Sequence, residues 1–411
     1  CLLNKMLYSK IIPIVKKNTP KFYTLLKDIK HRYIYNQKYF NQLISKNLYL
    51  IDHILEKKHE DWAKEVYFQK KNTVGDIGVI EINNSCNINC VMCDTKSSIR
   101  QKKLMSLDLV EKSVLEFKKK DIKSVLLHTI GDPLVNTRLG KILQILRNHK
   151  IQTSISTNGL LLEKHLDTLK EYVDVCSSIR FSIDGVKKET YEKIRFGGKW
   201  EDLIRNLELA KKWLPDVGYE IMIDLVITKD NFNELGEFIT FYRTYVKKPH
   251  RHLHLNFMNS LSPSNDYFLK NNTIPKHTHI NSFCRYVAQS IPYILVDGRV
   301  SVCCRDYDGS LVIGSINEGN EIDDVLKGDE LKQLQQAHEN GDVDKINNSL
   351  CKSCYIIDSR ILTIWNNSVA YLLYKHDNES SDFYQNKLNN LLDSFANLSK
   401  DNYQKFLSLV A

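Results

Sequence analysis

Residues Gly78 to Cys93 read Gly-Val-Ile-Glu-Ile-Asn-Asn-Ser-Cys86-Asn-Ile-Asn-Cys90-Val-Met-Cys93. The first six have the composition of a short strand, and three thiols follow at Cys-x3-Cys-x2-Cys. The same rhythm continues downstream. Short apolar runs at 123–128, 151–156, 177–183, 219–227 and 252–257 predict strands, and 3.6-residue periodicity predicts helices at 107–119, 138–148, 161–171, 200–213 and 232–245. Strands that alternate with helices imply a parallel sheet with right-handed crossovers, hence an open or closed α/β barrel. In such a barrel the C-terminal ends of the strands carry the chemistry. The three thiols stand directly after the first strand, on that face.

The alternation stops after residue 258. Residues 259–281 are rich in Asn, Ser, Thr and Pro and read as a linker. The segment 282–358 contains a hairpin about Asp297-Gly298 and a helical stretch near 321–339. A helical tail at 359–411 offers Trp365, Leu372, Leu373 and Phe395 for packing. Ahead of the barrel segment, 76–258, residues 1–75 read as a helical leader broken by Pro13 and Pro20, with Phe40, Leu43, Ile44, Leu48, Ile51 and Leu55 on one face.

The 411 residues carry a formal charge of +9. All of it lies in residues 1–75, which hold 15 basic and 6 acidic side chains, while the rest holds 43 of each. Nucleic-acid binding by the barrel is therefore not expected. The leader could dock weakly on an anionic membrane surface or a protein; packing as a solvated helical hairpin on the barrel is the favoured reading. No apolar stretch approaches the roughly 20 residues of a bilayer span, and Lys5, Lys10, Lys16 and Lys17 interrupt any signal-peptide core. Position 1 is Cys and not Met, so the chain reads as a fragment or a processed form. Grouped cysteines in a chain of cytoplasmic character favour metal ligation over disulfides.

Three thiolates fill three positions of a 4Fe-4S cluster and leave one iron open; a zinc ion with a fourth ligand such as His is the alternative. The loop resembles the signature of the radical S-adenosylmethionine (radical SAM) enzymes. Four further segments fit the same register: Met105-Ser-Leu107, His128-Thr-Ile-Gly131-Asp132-Pro133, Ile155-Ser-Thr-Asn158-Gly159, and Phe181-Ser182-Ile-Asp184-Gly185 continuing to Glu189–Arg195. The resemblance implies a partial (β/α)6 barrel in which Cys86, Cys90 and Cys93 hold a 4Fe-4S cluster. It implies that SAM is cleaved to a 5′-deoxyadenosyl radical that takes hydrogen from substrate, with electrons from a low-potential donor such as flavodoxin or ferredoxin. Gly131, Asp132 and Pro133 correspond to a Gly-Glu-Pro turn that contacts the SAM amino group, with Asp one methylene short of the usual Glu. Asn158, Ser182 and Arg195 fall at positions of further SAM contacts, and Asp184 is a secondary, catalytic candidate.

The second cysteine group is Cys284, Cys303, Cys351 and Cys354, with Gly298 and Cys303 at Gly-x4-Cys spacing. It resembles the one-cluster (Twitch) form of the SPASM domain that follows many such barrels, which implies a small C-terminal auxiliary 4Fe-4S domain. A four-cysteine zinc site is the alternative. Cys304 is set aside because, on a strand, it would point to the opposite face from Cys303, and Cys176 reads as a core thiol. His250, His252 and His254 alternate on or before the last strand and share one face, which suits surface or substrate-pocket roles. The resemblance leaves the substrate open between a carbohydrate or cyclitol-type small molecule, which the helical leader favours, and a peptide undergoing maturation. A non-catalytic iron-sulfur or zinc protein is the third reading.

Overall fold

The computed structural model describes most of residues 59–258, 266–271, 279–280 and 283–396, with parts of 42–50. Strands β1 (Ile77–Ile80), β2 (Ser124–Leu126), β3 (Gln152–Thr157), β4 (Cys176–Ser182), β5 (Glu220–Ile227) and β6 (Leu253–Phe257) pair in parallel in chain order. Each lies within three residues of the range the sequence predicts. The helices Leu107–Lys119 and Trp200–Trp213 coincide with their predicted spans. β6 does not return to β1, so the barrel is partial.

The free edge of β1 is taken by the C-terminal region. β8 (Tyr293–Ile294) pairs with β1 in parallel, and β9 (Arg299–Ser301) and β10 (Val312–Ser315) follow antiparallel. The auxiliary hairpin is thus an extension of the barrel sheet. The segment expected to be a plain linker contains a helix, Asp266–Asn271, and β7 (His279–Ile280), which pairs with β11 (Ile356–Ile357). The helix expected at 321–339 is two, Ile322–Lys327 and Asp329–Glu339, separated at Gly328.

Strand periodicity sorts the two faces of the sheet. Ile179, Phe181, Ile221, Ile223, Leu225, Leu253 and Leu255 are buried against the helices. The alternate positions face the lumen, and the register sets them side by side: Arg180 opposite Met222, Ser182 opposite Asp224, Asp224 opposite His254 and Val226 opposite Asn256. The lumen therefore carries the polar side chains Arg180, Ser182, Asp224, His254 and Asn256 beside the apolar Met222 and Val226. His250 and His252 lie in the short helix Pro249–His252, so they do not share the strand face of His254 as the alternation suggested; His250 meets the ring of Tyr374 at 5.7 Å and His252 is buried.

The open edge at β6 is covered by the helix Ser359–Lys375. Trp365 is wholly buried, its indole donates to the Leu255 carbonyl at 2.7 Å, and its ring lies 4.7 Å from that of Phe257. Leu373 is also buried and Leu372 partly so, while the side chain of Phe395 lies outside the described residues. Of the leader, the helix His59–Lys70 docks on the C-terminal region: Tyr67 is buried and donates to the Gln335 carbonyl and to Glu339, which also pairs with Lys71 at 2.7 Å. The rest of the leader lies outside the described residues apart from positions near 42–50, where Asn47 donates to Ser368 at 3.3 Å. Among the described residues no helix is long and apolar enough to cross a membrane.

The helix Ser381–Ala396 is held against Leu235–Tyr242 at a glycine. A Cβ on Gly236 would run into the Ser381 carbonyl oxygen, and its amide already donates to Gln385 at 3.0 Å. Overpacking of this kind costs about 1–3 kcal/mol. Gly236→Ala is expected to lower the unfolding free energy by that amount in a urea titration.

Candidate functional site

A cavity of about 360 Å³ opens at the C-terminal ends of the strands, within the range of about 300–1,000 Å³ usual for ligand sites. It is lined by Cys86, Cys90, Cys93, Gly131, Asp132, Asn158, Ser182 and Arg195, together with His128, Ser156 and Asn256. The predicted thiols and most predicted SAM contacts thus converge. Pro133 and Asp184 are not among the lining residues.

Paired asparagines shape the cysteine loop. Asn83 donates to the carbonyls of Ser85 and Asp132 at 2.9 and 3.2 Å, and Asn84 bridges to Gln101 and Lys103 at 2.9 and 2.8 Å. The amides of Asn89 and Val91 donate to the carbonyls of Phe196 and Ile194. The loop is closed against the 128–133 turn as well, since Asp132 N donates to Ser85 O at 2.9 Å. Gly131 is required there: its φ is +85°, and a Cβ would lie 2.5 Å from the Ser85 oxygen.

Two donors face the thiols. Arg195 Nη1 approaches Cys90 Sγ at 3.4 Å, and Asn158 Nδ2 approaches Cys86 Sγ at 3.7 Å. Burial pushes the Cys86 thiol up to about 11 and raises Cys90 too, the latter opposed by Arg195. These thiols gain by ligating a cation, and metal loading releases their protons. A three-thiol set with cationic and amide donors toward sulfur fits a 4Fe-4S cluster with one open iron. Among the described residues no three His, Cys, Asp or Glu groups gather closely enough to hold a single metal ion.

Asp184, expected among the reacting groups, is wholly buried behind Arg195. Its Oδ2 forms an ion pair with Arg195 Nε at 2.5 Å and its Oδ1 accepts from Val226 N at 2.7 Å. The pair holds the guanidinium in place. Asp132 also departs from expectation. Its carboxylate accepts from Leu134 N at 2.9 Å, Asn158 N at 2.7 Å and Thr157 Oγ1 at 2.8 and 3.0 Å. The missing methylene keeps the carboxylate inside the loop, where protein donors occupy both oxygens.

The second cysteine group also assembles. Cys284 feels the charge of Cys354, Cys303 that of Cys304 and Cys284, and Cys351 that of Cys284 and Cys354. β9 ends at Ser301, so residues 303 and 304 lie in a turn and the strand-face argument against Cys304 does not apply. Cys304 stands with the others, and a hydrogen bond from Cys303, aided by Arg305, holds its thiol down. Asp306 fixes the turn by accepting from Ser301 Oγ, Ser310 N and Leu311 N at 2.8, 2.6 and 2.9 Å. Cys176 is a buried core thiol, as expected.

Glu81 has no predicted role, yet it joins the two cysteine groups. Wholly buried, it accepts both arms of Arg100 at 2.7 Å, the hydroxyl of Thr129, and Val296 N of the hairpin at 3.0 Å. Arg100 donates in turn to the Tyr307 carbonyl at 2.8 Å, and Ile99 N donates to Asp308 at 2.9 Å. The signal in the sequence was a lone carboxylate in an apolar strand. Similar signals mark Arg180, Asp224 and His254 in the lumen. Arg180 Nη1 donates to Asp224 Oδ2 at 2.7 Å and meets His254 Nδ1 at 3.0 Å, which in turn lies 2.8 Å from Asp224 Oδ1. Burial works to raise the Asp224 carboxyl, but His254 and Arg180 outweigh it and hold it below the usual range. His128, across the lumen, has its Nδ1 shielded from solvent with no hydrogen-bond partner; burial, aided by the charge of Arg180, lowers its pKa to about 4.

Comparisons with known proteins agree with this geometry. Residues 80–239 match the model of the radical SAM superfamily, and residues 284–355 that of the SPASM iron-sulfur cluster-binding domain. A probable GTP 3',8-cyclase of Methanococcus maripaludis is 33% identical over 136 residues, 32% of this chain and 44% of that protein. The mycofactocin maturase MftC of Mycolicibacterium smegmatis is 25% identical over 169 residues, 40% of this chain and 41% of that one. The chain thus spans less than half the length of these curated relatives. The solved structure of histidine-tagged anSMEcpe with bound AdoMet superposes with a TM-score of 0.51 at 14% identity, over 81% of this chain and 98% of that one. That likeness is one of fold.

Removing one partner of a buried ion pair costs about 3–5 kcal/mol, so Glu81→Gln, which strands Arg100, is expected to lower stability by that order in denaturant titration. His128 gives a pH signature. Its folded pKa of about 4 lies below the ordinary 6.5, so the unfolded chain binds the proton first, and stability falls as pH drops from about 6.5 to 4. His128→Asn is expected to remove that part of the acid slope in unfolding measured across the window.

Proposed function

From the premise that the chain belongs to the radical SAM superfamily and carries a SPASM iron-sulfur domain, we propose that it is an enzyme acting on a small polyhydroxylated molecule of carbohydrate or cyclitol type. Bound together, SAM and the cluster supply a 5′-deoxyadenosyl radical that removes a hydrogen atom from substrate. Cys86, Cys90 and Cys93 would hold the cluster, and Cys284, Cys303, Cys351 and Cys354 an auxiliary one. Arg195, oriented by Asp184, offers its guanidinium to the SAM carboxylate, with Asn158, Ser182, Gly131 and Asp132 completing the pocket and Pro133 in the turn behind it. We place the reaction in the cytoplasm, where these thiols stay reduced, with flavodoxin or ferredoxin as the class of electron donor.

One observation carries the substrate class: the Arg180–Asp224–His254 network beside the cavity, continued by Asn256, which donates weakly to Asp224 at 3.4 Å. A partly buried ionic network contributes little to stability compared with apolar packing, so its presence in a barrel lumen points to binding. Arg180 directs Nη1 at Asp224 and His254 and sets Nη2 against the Met222 thioether at 3.6 Å, a weak acceptor. Donor and acceptor groups at this spacing suit adjacent hydroxyls. Such groups discriminate strongly, because a substrate lacking the hydroxyl leaves them unpaired.

The test uses the reconstituted full chain with a panel of deuterated sugars, cyclitols and peptides, reading deuterium in 5′-deoxyadenosine. Transfer from a sugar or cyclitol is expected, and Asp224→Asn is expected to cut kcat/KM roughly 10- to 100-fold, the worth of about 1.5–3 kcal/mol for a hydrogen bond to a charged group. Deuterium arriving only from a peptide would establish the maturase reading instead. A protein that binds iron or zinc yet yields no 5′-deoxyadenosine would be non-catalytic.

A further inference from the structure

Each cysteine group has an arginine against a thiol. At the first, Arg195 approaches Cys90 Sγ at 3.4 Å and its charge is met by the Asp184 carboxylate at 2.5 Å. At the second, Arg305 is only 8% exposed, and its Nη1 donates to Cys354 Sγ at 3.2 Å while its backbone N–H donates to Cys303 Sγ at 3.3 Å. Burial works against the Arg305 charge, and the Cys354, Cys304 and Cys303 thiols favour it. The neighbouring carboxylate, Asp306, is aimed at Ser301, Ser310 and Leu311. It holds the turn that carries Arg305.

We propose that Arg305 is a positioning residue that raises the reduction potential of the iron-sulfur centre held by the second cysteine group. The proposal rests on the reading of those cysteines as cluster ligands. Its physical basis is general: hydrogen bonds and positive charge at a ligating sulfur stabilise the more negative, reduced form of a cluster. The effect is larger in a buried site of low dielectric than in water. Two sulfurs receive donors from one residue, so its backbone and side chain act together.

The test is a mediated redox titration of the reconstituted full chain, followed by electron paramagnetic resonance. The first centre is identified by the change in its signal on adding SAM. Iron analysis reads the premise separately: about eight iron atoms per chain mean that both 4Fe-4S centres load, whereas about four, with only the SAM-responsive signal, refute the ligand reading and the proposal with it. With both loaded, R305Q is expected to lower the reduced-to-oxidised ratio of the second centre about tenfold at the wild-type midpoint, a shift of about 59 mV for one electron. R305K, which keeps charge without the planar fork, is expected to lie between. An R305Q ratio within about twofold of wild type overturns the proposal, as does an equal shift of both centres. Should R305Q fail to load iron, R305K decides: a ratio equal to or above wild type overturns it.

Discussion

The fork between Glu81 and Arg100 is the contact on which the rest of the site depends. Glu81 stands one residue beyond β1 and its two oxygens accept from Arg100 at 2.7 Å each, from Thr129 after β2, and from Val296 in the hairpin. Four separate segments are registered by one carboxylate. A buried charge is tolerable only when paired and fully hydrogen-bonded, so any arrangement that separates the cysteine loop, the barrel and the hairpin leaves it without partners. The continuity of β8 with β1 repeats that constraint in backbone form: Glu81 N donates to Ile294 O at 2.8 Å. The two cysteine groups are therefore parts of one sheet-borne structure.

Strand and helix order was legible because the burial it reflects is periodic. β5, Glu-Ile-Met-Ile-Asp-Leu-Val-Ile, alternates strictly, and the helix Trp200–Trp213 buries Leu203, Asn206, Leu207 and Ala210 on one side. The cysteines were legible because few other arrangements place thiols so densely. What escaped was pairing across the chain. Nothing near Arg100 announces Glu81, and nothing near Arg180 announces His254, because such partners are set by strand order and register. The partner of Asp184 escaped for the same reason: its Asp-Gly context is local, while its ion pair with Arg195 is tertiary. Cys304 was set aside on a strand geometry that ends at Ser301, where the backbone turns.

The barrel is short of strands, and its open edge needs a cover. The tail supplies it. Trp365 donates to the Leu255 carbonyl and packs on Phe257, and Leu255 stands between His254 and Asn256 on β6. The hydrogen bond to the Leu255 carbonyl and the aromatic contact at Phe257 pin β6, and with it the neighbouring His254 and Asn256. The helix Ser359–Lys375 thus acts on the lumen through β6, and sets the wall on which the Arg180–Asp224–His254 network is built. The C-terminal tail, read from the sequence as packing material, covers the open edge of the barrel at β6.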